Sequence, residues 1–342
     1  MAHYFSEAIV SDRIFIRGIG AVSPAGWNMA ALRDALAKNE PLAPQELPRP
    51  AAEQAFRVLR VPPPNPRPGF LTHARLRRTS PITQFAVAAA VEALGPREPE
   101  STRGIGVLVC VFSGCVNYTR RFYDEALKDP ATASPLVFPE TVFNAPASHI
   151  SAYLGSTAIN YTLVGDSGTF LIGLATAANW MLEGKLDECL VVGTEEVDWL
   201  TSDAVRLFDR SKVLSEGAGA VLLTRKGGVR LNAITDEHLF PTTGKIEALR
   251  RMKAELPNVP TAVLADSASG SGGISLEESQ LWSDWNGPRV SPKRVLGEGL
   301  MASAAWQVVA AADAIANGST RDALVSISGF HQHAIGAHFI AD

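Results

Sequence analysis

Long apolar runs are missing from this 342-residue chain although 46% of it is hydrophobic. Without about 20 consecutive apolar residues, no membrane-spanning helix and no membrane insertion are expected. An excess of one charge is missing as well. Lysine and arginine number 31 against 35 aspartates and glutamates, a net charge of -4 that offers no basic footprint for nucleic acid. Cysteine is scarce: Cys110, Cys115 and Cys189 are odd in number and lack metal-type pairing. That pattern excludes a disulfide framework and points to a reduced, cytoplasmic protein with no metal. Around the only short apolar run at the start stand Glu7, Asp12 and Arg13, which do not suit a signal peptide. What remains is enough apolar chain to bury a large core, as one big domain or two fused halves.

The stretch from Tyr161 to Glu196 carries the strongest local pattern. Tyr161-Thr-Leu-Val-Gly-Asp-Ser167 is apolar and β-branched, then breaks at small residues, and reads as a buried strand ending in a sharp turn. Leu171, Leu174, Ala175, Ala178 and Met181 recur at helical spacing from Gly168 to Leu182, and Gly184 is the stop. Cys189-Leu-Val-Val-Gly193 reads as a second strand, with Cys189 a small core residue. Ser167 therefore sits at a strand-to-helix turn, where unpaired N–H groups and the helix dipole favour negative charge. Such a turn suits a nucleophile whose adduct needs an oxyanion hole. Ser167 equally reads as a small residue that a tight turn accepts.

Before that stretch, Arg13–Gly20 alternates like a strand, and Ala21-Val-Ser-Pro-Ala-Gly26 turns into a helix from about Met29 to Ala37. Residues 41–69 are proline-rich with few periodic apolar positions and read as an irregular surface excursion. Pro81–Leu94 is helical, with Gly95-Pro96 as its stop. Gly104–Phe112 is an almost continuous apolar run, which suits a parallel strand covered on both faces. A helix from Tyr118 to Leu127 and another over Ala147–Leu154 follow, and Val213–Leu223 closes this part. The remainder restates it weakly: Val229–Thr235 the opening strand, Thr261–Ala265 the covered strand, Gly299–Asn317 the helix after Ser167, and Ala323–Ser328 the next strand. Two similar βαβ-containing halves, 1–226 and 227–342, imply stacked α/β layers.

Ile159-Asn-Tyr-Thr-Leu through Asp166-Ser167, Gly184-Lys-Leu-Asp and Val191-Val-Gly-Thr-Glu-Glu196 together resemble the nucleophile region of β-ketoacyl synthases. The opening strand with Ser23-Pro-Ala-Gly26, the loop Phe143-Asn-Ala-Pro146 and Glu216-Gly-Ala-Gly219 resemble the same family. The resemblance covers nearly the whole chain and is poor at 41–69 and 225–258. It implies the thiolase-like fold, a layered αβαβα arrangement of two similar fused halves.

It also implies a site. The family's nucleophilic cysteine is matched by Ser167, its Ala-His-Gly-Thr-Ser histidine by Asp266, and its Lys-x-x-x-Gly-His histidine by Glu298, with the lysine kept as Lys293. Gly329 and Phe330 match the family's Gly-Phe-Gly-Gly-Thr loop, where His331 and His333 replace small residues. A serine hydroxyl has almost no ionised fraction near neutral pH, and a carboxylate cannot donate as a neutral histidine does. Asp266 and Glu298 also read as ordinary turn and helix-start acids. Gly165-Asp-Ser-Gly168 resembles a serine-protease signature, but the long helix after it does not fit that all-β class.

A family fold without the catalytic set resembles a chain-length-factor type of subunit, which implies a partner: an active ketosynthase subunit in a heterodimer, or a second copy, and an acyl carrier protein. No cofactor is implied. The competing expectation is a serine-dependent acyltransferase, or a divergent active ketosynthase, using Ser167 with His331 or His333 as its base.

Overall fold

The fold is taken from a computed structural model that describes residues 14–50, 54–240, 244–269, 275–330 and 333–342. The chain opens with β1 (Phe15–Val22), α1 (Met29–Lys38), β2 (Gln45–Leu47), β3 (Phe56–Leu59), α2 (Pro81–Leu94) and β4 (Gly106–Val111). It continues through α3 (Val116–Lys128), α4 (Ala145–Leu154), β5 (Asn160–Val164), α5 (Thr169–Leu182), β6 (Glu188–Glu195), α6 (Trp199–Arg206), β7 (Leu214–Ser215) and β8 (Gly217–Thr224). Then come β9 (Val229–Ile234), β10 (His238–Leu239), α7 (Lys245–Glu255), β11 (Val263–Ala265), α8 (Ser275–Leu281) and β12 (Arg289–Val290). α9 (Pro292–Leu296), α10 (Met301–Ala316), β13 (Asp322–Ser328) and β14 (His333–Ala341) end it.

Among the described residues, one 11-stranded sheet runs β12-β11-β13-β14-β9-β1-β8-β6-β4-β5, with β10 paired to β14. The order reads alike from either end. β4 is parallel to β5 and β6, while β8 is antiparallel to β6 and β1. In the same sense β11 is parallel to β12 and β13, while β14 is antiparallel to β13 and β9. β1 and β9 pair in the middle. Parallel neighbours need crossovers, and helices supply them.

The apolar faces of those helices set the layers. Leu171, Leu174 and Ala178 of α5 pack with Ala305, Val309 and Ala312 of α10 in a cluster that also takes side chains from β6, β8, β13 and β14. α2 and α4 cover the outer face of β4, β6 and β8, whereas α7 and Trp282 cover that of β11 and β13. The result is helix, sheet, helix, sheet, helix, the αβαβα layering expected. Every residue of β4 is buried between two parallel neighbours, as its unbroken apolar run predicts. Trp306, fully buried on α10, ties the layers together: its indole N–H donates to the Val22 and Ala218 carbonyls, each at 3.0 Å. No helix among the described residues is long and apolar enough to cross a membrane.

Two expectations fail. The segment 41–69 is not wholly irregular: β2 and β3 form a second, three-stranded sheet with β7, which buries Phe56, Val58 and Leu59. The pairing Val58 with Leu214 joins positions far apart in sequence, so no local pattern announces it. The strand before Ser167 is not buried either. β5 is the last strand of the large sheet, with Tyr161 48% and Val164 53% exposed. Its β-branched composition matches that of a covered strand, but only the neighbouring chain order decides whether anything lies beyond it.

Candidate functional site

The site lies where β5, β11, α9 and β13 end. Ser167 occupies the turn between β5 and α5 and is buried, and its Oγ has no hydrogen-bond partner among the described residues. The Thr169 N–H donates to the Asp166 carbonyl at 2.8 Å and so starts α5 directly from the turn. Beside the serine, the N–H groups of Ser167 and Phe330 both donate to Asp166 Oδ1, at 2.8 and 2.7 Å. Two backbone N–H groups converging on one point beside a hydroxyl are the arrangement that an oxyanion hole uses. Here the buried Asp166 carboxylate occupies that point. Only glycine fits at 329, because a Cβ there would overlap Asp166 Oδ2.

The two acids that the resemblance matches to histidines, Asp266 and Glu298, are both tied down. Asp266, just past β11, accepts from Ser291 Oγ at 2.6 Å and the Ala268 N–H at 3.1 Å, and pairs with Arg289 at 3.1 Å. Burial raises its pKa, and Ser291, Arg289 and the Ala268 N–H oppose that. Glu298, between α9 and α10, pairs with Lys293 Nζ at 2.9 Å and lies 3.9 Å from Lys212 Nζ, while its other oxygen accepts from the Leu300 N–H at 3.0 Å. Burial pushes the Glu298 pKa up, but the two ammonium groups outweigh it and the net shift is downward. Lys293, Glu298, Gly329 and Phe330 line one small cavity, which Lys212 and Lys245 share. Ser167 and Asp266 do not line it. Among the described residues no group of three or more His, Cys, Asp or Glu side chains is placed to hold a metal.

His333, read from sequence as part of a loop, instead starts β14 and is 1% exposed. Its Nδ1 stands 3.0 Å from Glu237 Oε1, and its Nε2 faces Gly168, where a Cβ would overlap it. Neither ring nitrogen makes a hydrogen bond among the described residues. Contact with His333 lowers the Glu237 pKa against the opposing effect of burial. His331 lies outside the described residues. Sequence reasoning missed Glu237, Lys212, Lys245 and the buried Glu278, since each reaches the site from a segment with no local signature.

Residues 11–227 match the family model of the β-ketoacyl synthase N-terminal domain. The chain belongs to the β-ketoacyl synthase family. A Schizosaccharomyces pombe protein assigned as a mitochondrial 3-oxoacyl-(acyl-carrier-protein) synthase is 23% identical over 205 residues, 54% of this chain and 46% of that protein. The match thus spans about half of that relative's length. Among solved structures, the ishigamide ketosynthase/chain length factor superposes with a TM-score of 0.79 at 19% identity, covering 96% of this chain and 100% of that one. A ketosynthase in complex with its chain length factor, from Xenorhabdus doucetiae, gives 0.76 at 13% identity, covering 96% and 98%. These ketosynthase-family structures have the same thiolase-like fold as this chain.

Proposed function

We propose that this chain is a non-condensing, chain-length-factor type of ketosynthase subunit, which pairs with an active β-ketoacyl-ACP synthase and shapes its acyl tunnel. The pathway class is type II polyketide, polyene or fatty-acid biosynthesis, with an acyl carrier protein delivering the chain in the cytoplasm. The observation that carries this reading is the oxyanion hole beside Ser167, filled by Asp166. A developing oxyanion there would have to displace a carboxylate and then meet its charge. Asp266 and Glu298 add no neutral donor, because each is held in an ion pair.

Two further observations support a partner. Among the described residues β5 leaves a sheet edge open with apolar side chains on it, a pattern that monomers avoid unless another chain covers it. Leu136, Phe138 and Phe143, 73%, 56% and 47% exposed, add apolar surface in the segment leading to α4. Two structures with the same fold are of ketosynthases with chain length factors. Within the subunit, the sheet order that reads alike from both ends supports a division into halves at 226/227.

The test is co-purification of the tagged chain with each candidate ketosynthase from the same organism, followed by malonyl-dependent elongation by the separate and combined proteins. A stable mixed dimer that alone elongates is expected. Chain extension by the purified subunit without a partner overturns the reading.

One observation favours a second reading, a serine acyltransferase. The pair of buried His333 and exposed Glu237 has the base-and-orienter arrangement of a serine triad, with Nε2 turned to the residue after Ser167. The filled oxyanion hole weighs against it.

A further inference from the structure

α3 is attached to the molecule chiefly by polar contacts. None of its 13 residues is buried, and Tyr123 and Leu127 are 62% and 68% exposed. A helix that buries no apolar stripe gains little from packing, so its attachment rests on the groups that hold its ends. A cavity of about 540 Å³ lies between it and Arg60, Pro81 and Glu216. Its C-terminal half is tied to the segment that follows it: Glu125 accepts the Ser134 N–H at 3.0 Å, and the Phe122 and Phe138 rings lie 5.3 Å apart.

Buried carboxylates at the end of β6 hold the other half. Glu195 accepts the Phe112 and Ser113 N–H groups and so fixes the chain before Gly114. Glu196 accepts the Asn117 N–H at 2.8 Å and the Ile82 N–H at 3.1 Å, joining the first turns of α3 and α2. Asp198 pairs with Arg120 at 2.9 Å, and the Tyr118 hydroxyl donates to the Arg78 carbonyl at 2.9 Å. Between the two glutamate attachments stands Gly114, in the left-handed region at φ 64°, where the chain turns. Glu195 thus holds the fixed side of a hinge and Glu196 the moving side.

The groups facing Glu196 are acids: Glu195 beside it, Glu216, the Cys115 thiol and the Tyr118 hydroxyl, with Glu140 acting on the last two. The nearby cations are engaged, Arg120 with Asp198 and Asp124, Arg121 with Glu125, while Arg60 acts on Glu216. Burial raises Glu196 to about 7 against the pull of the Asn117 and Ile82 N–H groups. Releasing Asn117 admits water to Glu196 and uncovers no buried α3 side chain. The closed form therefore holds a proton that the open form gives up, so closure is favoured at low pH and opening gains as pH rises through about 7.

We propose that α3 is a strap hinged at Gly114 and latched by Glu196, which opens from the body of the protein with rising pH while the sheet and α5 stay folded. Opening of this kind is a local event, with its own free energy below that of global unfolding. The device does not depend on the subunit role proposed above, which the elongation assay tests separately.

Hydrogen–deuterium exchange of the full chain at about pH 6 and about pH 8.5, corrected for intrinsic rates and read on peptides over 113–128, tests it. α3 is expected to exchange well ahead of α5 and β8 at both values. Its protection should fall about tenfold between them, the change produced by a group at about 7 closed and about 4.3 open. Glu196→Gln, which keeps an acceptor without the charge, should remove that fall. Arg120→Met should lower α3 protection at both values and keep the fall, and it covers the case in which Glu196→Gln fails to fold. Exchange of α3 in step with α5 and β8, no fall with pH, an undiminished fall in well-folded Glu196→Gln, or unchanged protection in Arg120→Met overturns the proposal.

Discussion

At Asp166 a single carboxylate decides what Ser167 can do. The serine is positioned as a nucleophile would be, at the start of a 14-residue helix, with a hydroxyl that has no hydrogen-bond partner among the described residues. The N–H groups of Ser167 and Phe330 that would stabilise its adduct are already bonded. Removing one oxyanion donor from a serine hydrolase costs about 3 kcal/mol of transition-state stabilisation, and here both are engaged. Treatment with a serine-reactive acyl or phosphonate probe is therefore expected to leave Ser167 unmodified, as read by intact mass and peptide mapping. Rapid labelling of Ser167 that disappears in His333→Ala would instead promote the acyltransferase reading.

At the scale of elements, α5 and β14 meet with no room to spare. Gly168 has φ -62°, a conformation alanine also adopts, so its lack of a side chain serves packing rather than backbone freedom. An added Cβ would overlap the His333 ring and press on Ile335 Cγ2. Gly168→Ala is expected to destabilise the protein by about 1–3 kcal/mol, the usual range for overpacking. Because the collision is chiefly with one ring, His333→Ala in the same chain should recover part of that loss in chemical denaturation. Non-additivity of this kind is what a direct contact produces; strict additivity would place His333 away from the α5 start.

For the molecule as a whole, buried acids set the pH at which it is most stable. Burial pushes Glu195 up to about 8 and Glu196 to about 7, although hydrogen bonds from Ser113, Phe112 and Asn117 pull the other way. Glu278 is also near 7. Their folded pKa values lie above the unfolded value of about 4.3, so the folded chain holds more protons between these limits and stability falls as pH rises through 7 and 8. Glu298 and Glu237 are shifted down, and the stability they contribute is lost only as pH falls through their folded pKa values. Lys245, lowered to about 8, returns some stability between about pH 8 and 10.4. A higher thermal midpoint at pH 6 than at pH 8 is expected by scanning calorimetry, with a smaller difference in Glu195→Gln. An increase from pH 6 to 8 would show that these acids are ionised in the fold.

The sequence by itself determined the family, the layered fold, the boundaries of α2 and α5, and the place of Ser167. Those features rest on periodicity, breakers and short motifs, which act over a few residues. The chain's resemblance to the family matched Ser167, Asp266 and Glu298 to a cysteine and two histidines. Only the tertiary structure decided what surrounds these residues. That Asp166 fills the oxyanion hole depends on Phe330, 164 positions away, arriving with its N–H free to donate. That Glu298 is an ion-paired anion depends on Lys212 as well as Lys293, and that His333 has a carboxylate beside it depends on Glu237. The exposure of β5 belongs to the same kind, since a strand's own residues carry no record of whether a further strand lies beside it. Long-range pairing brings these groups together, and chain pattern is blind to it.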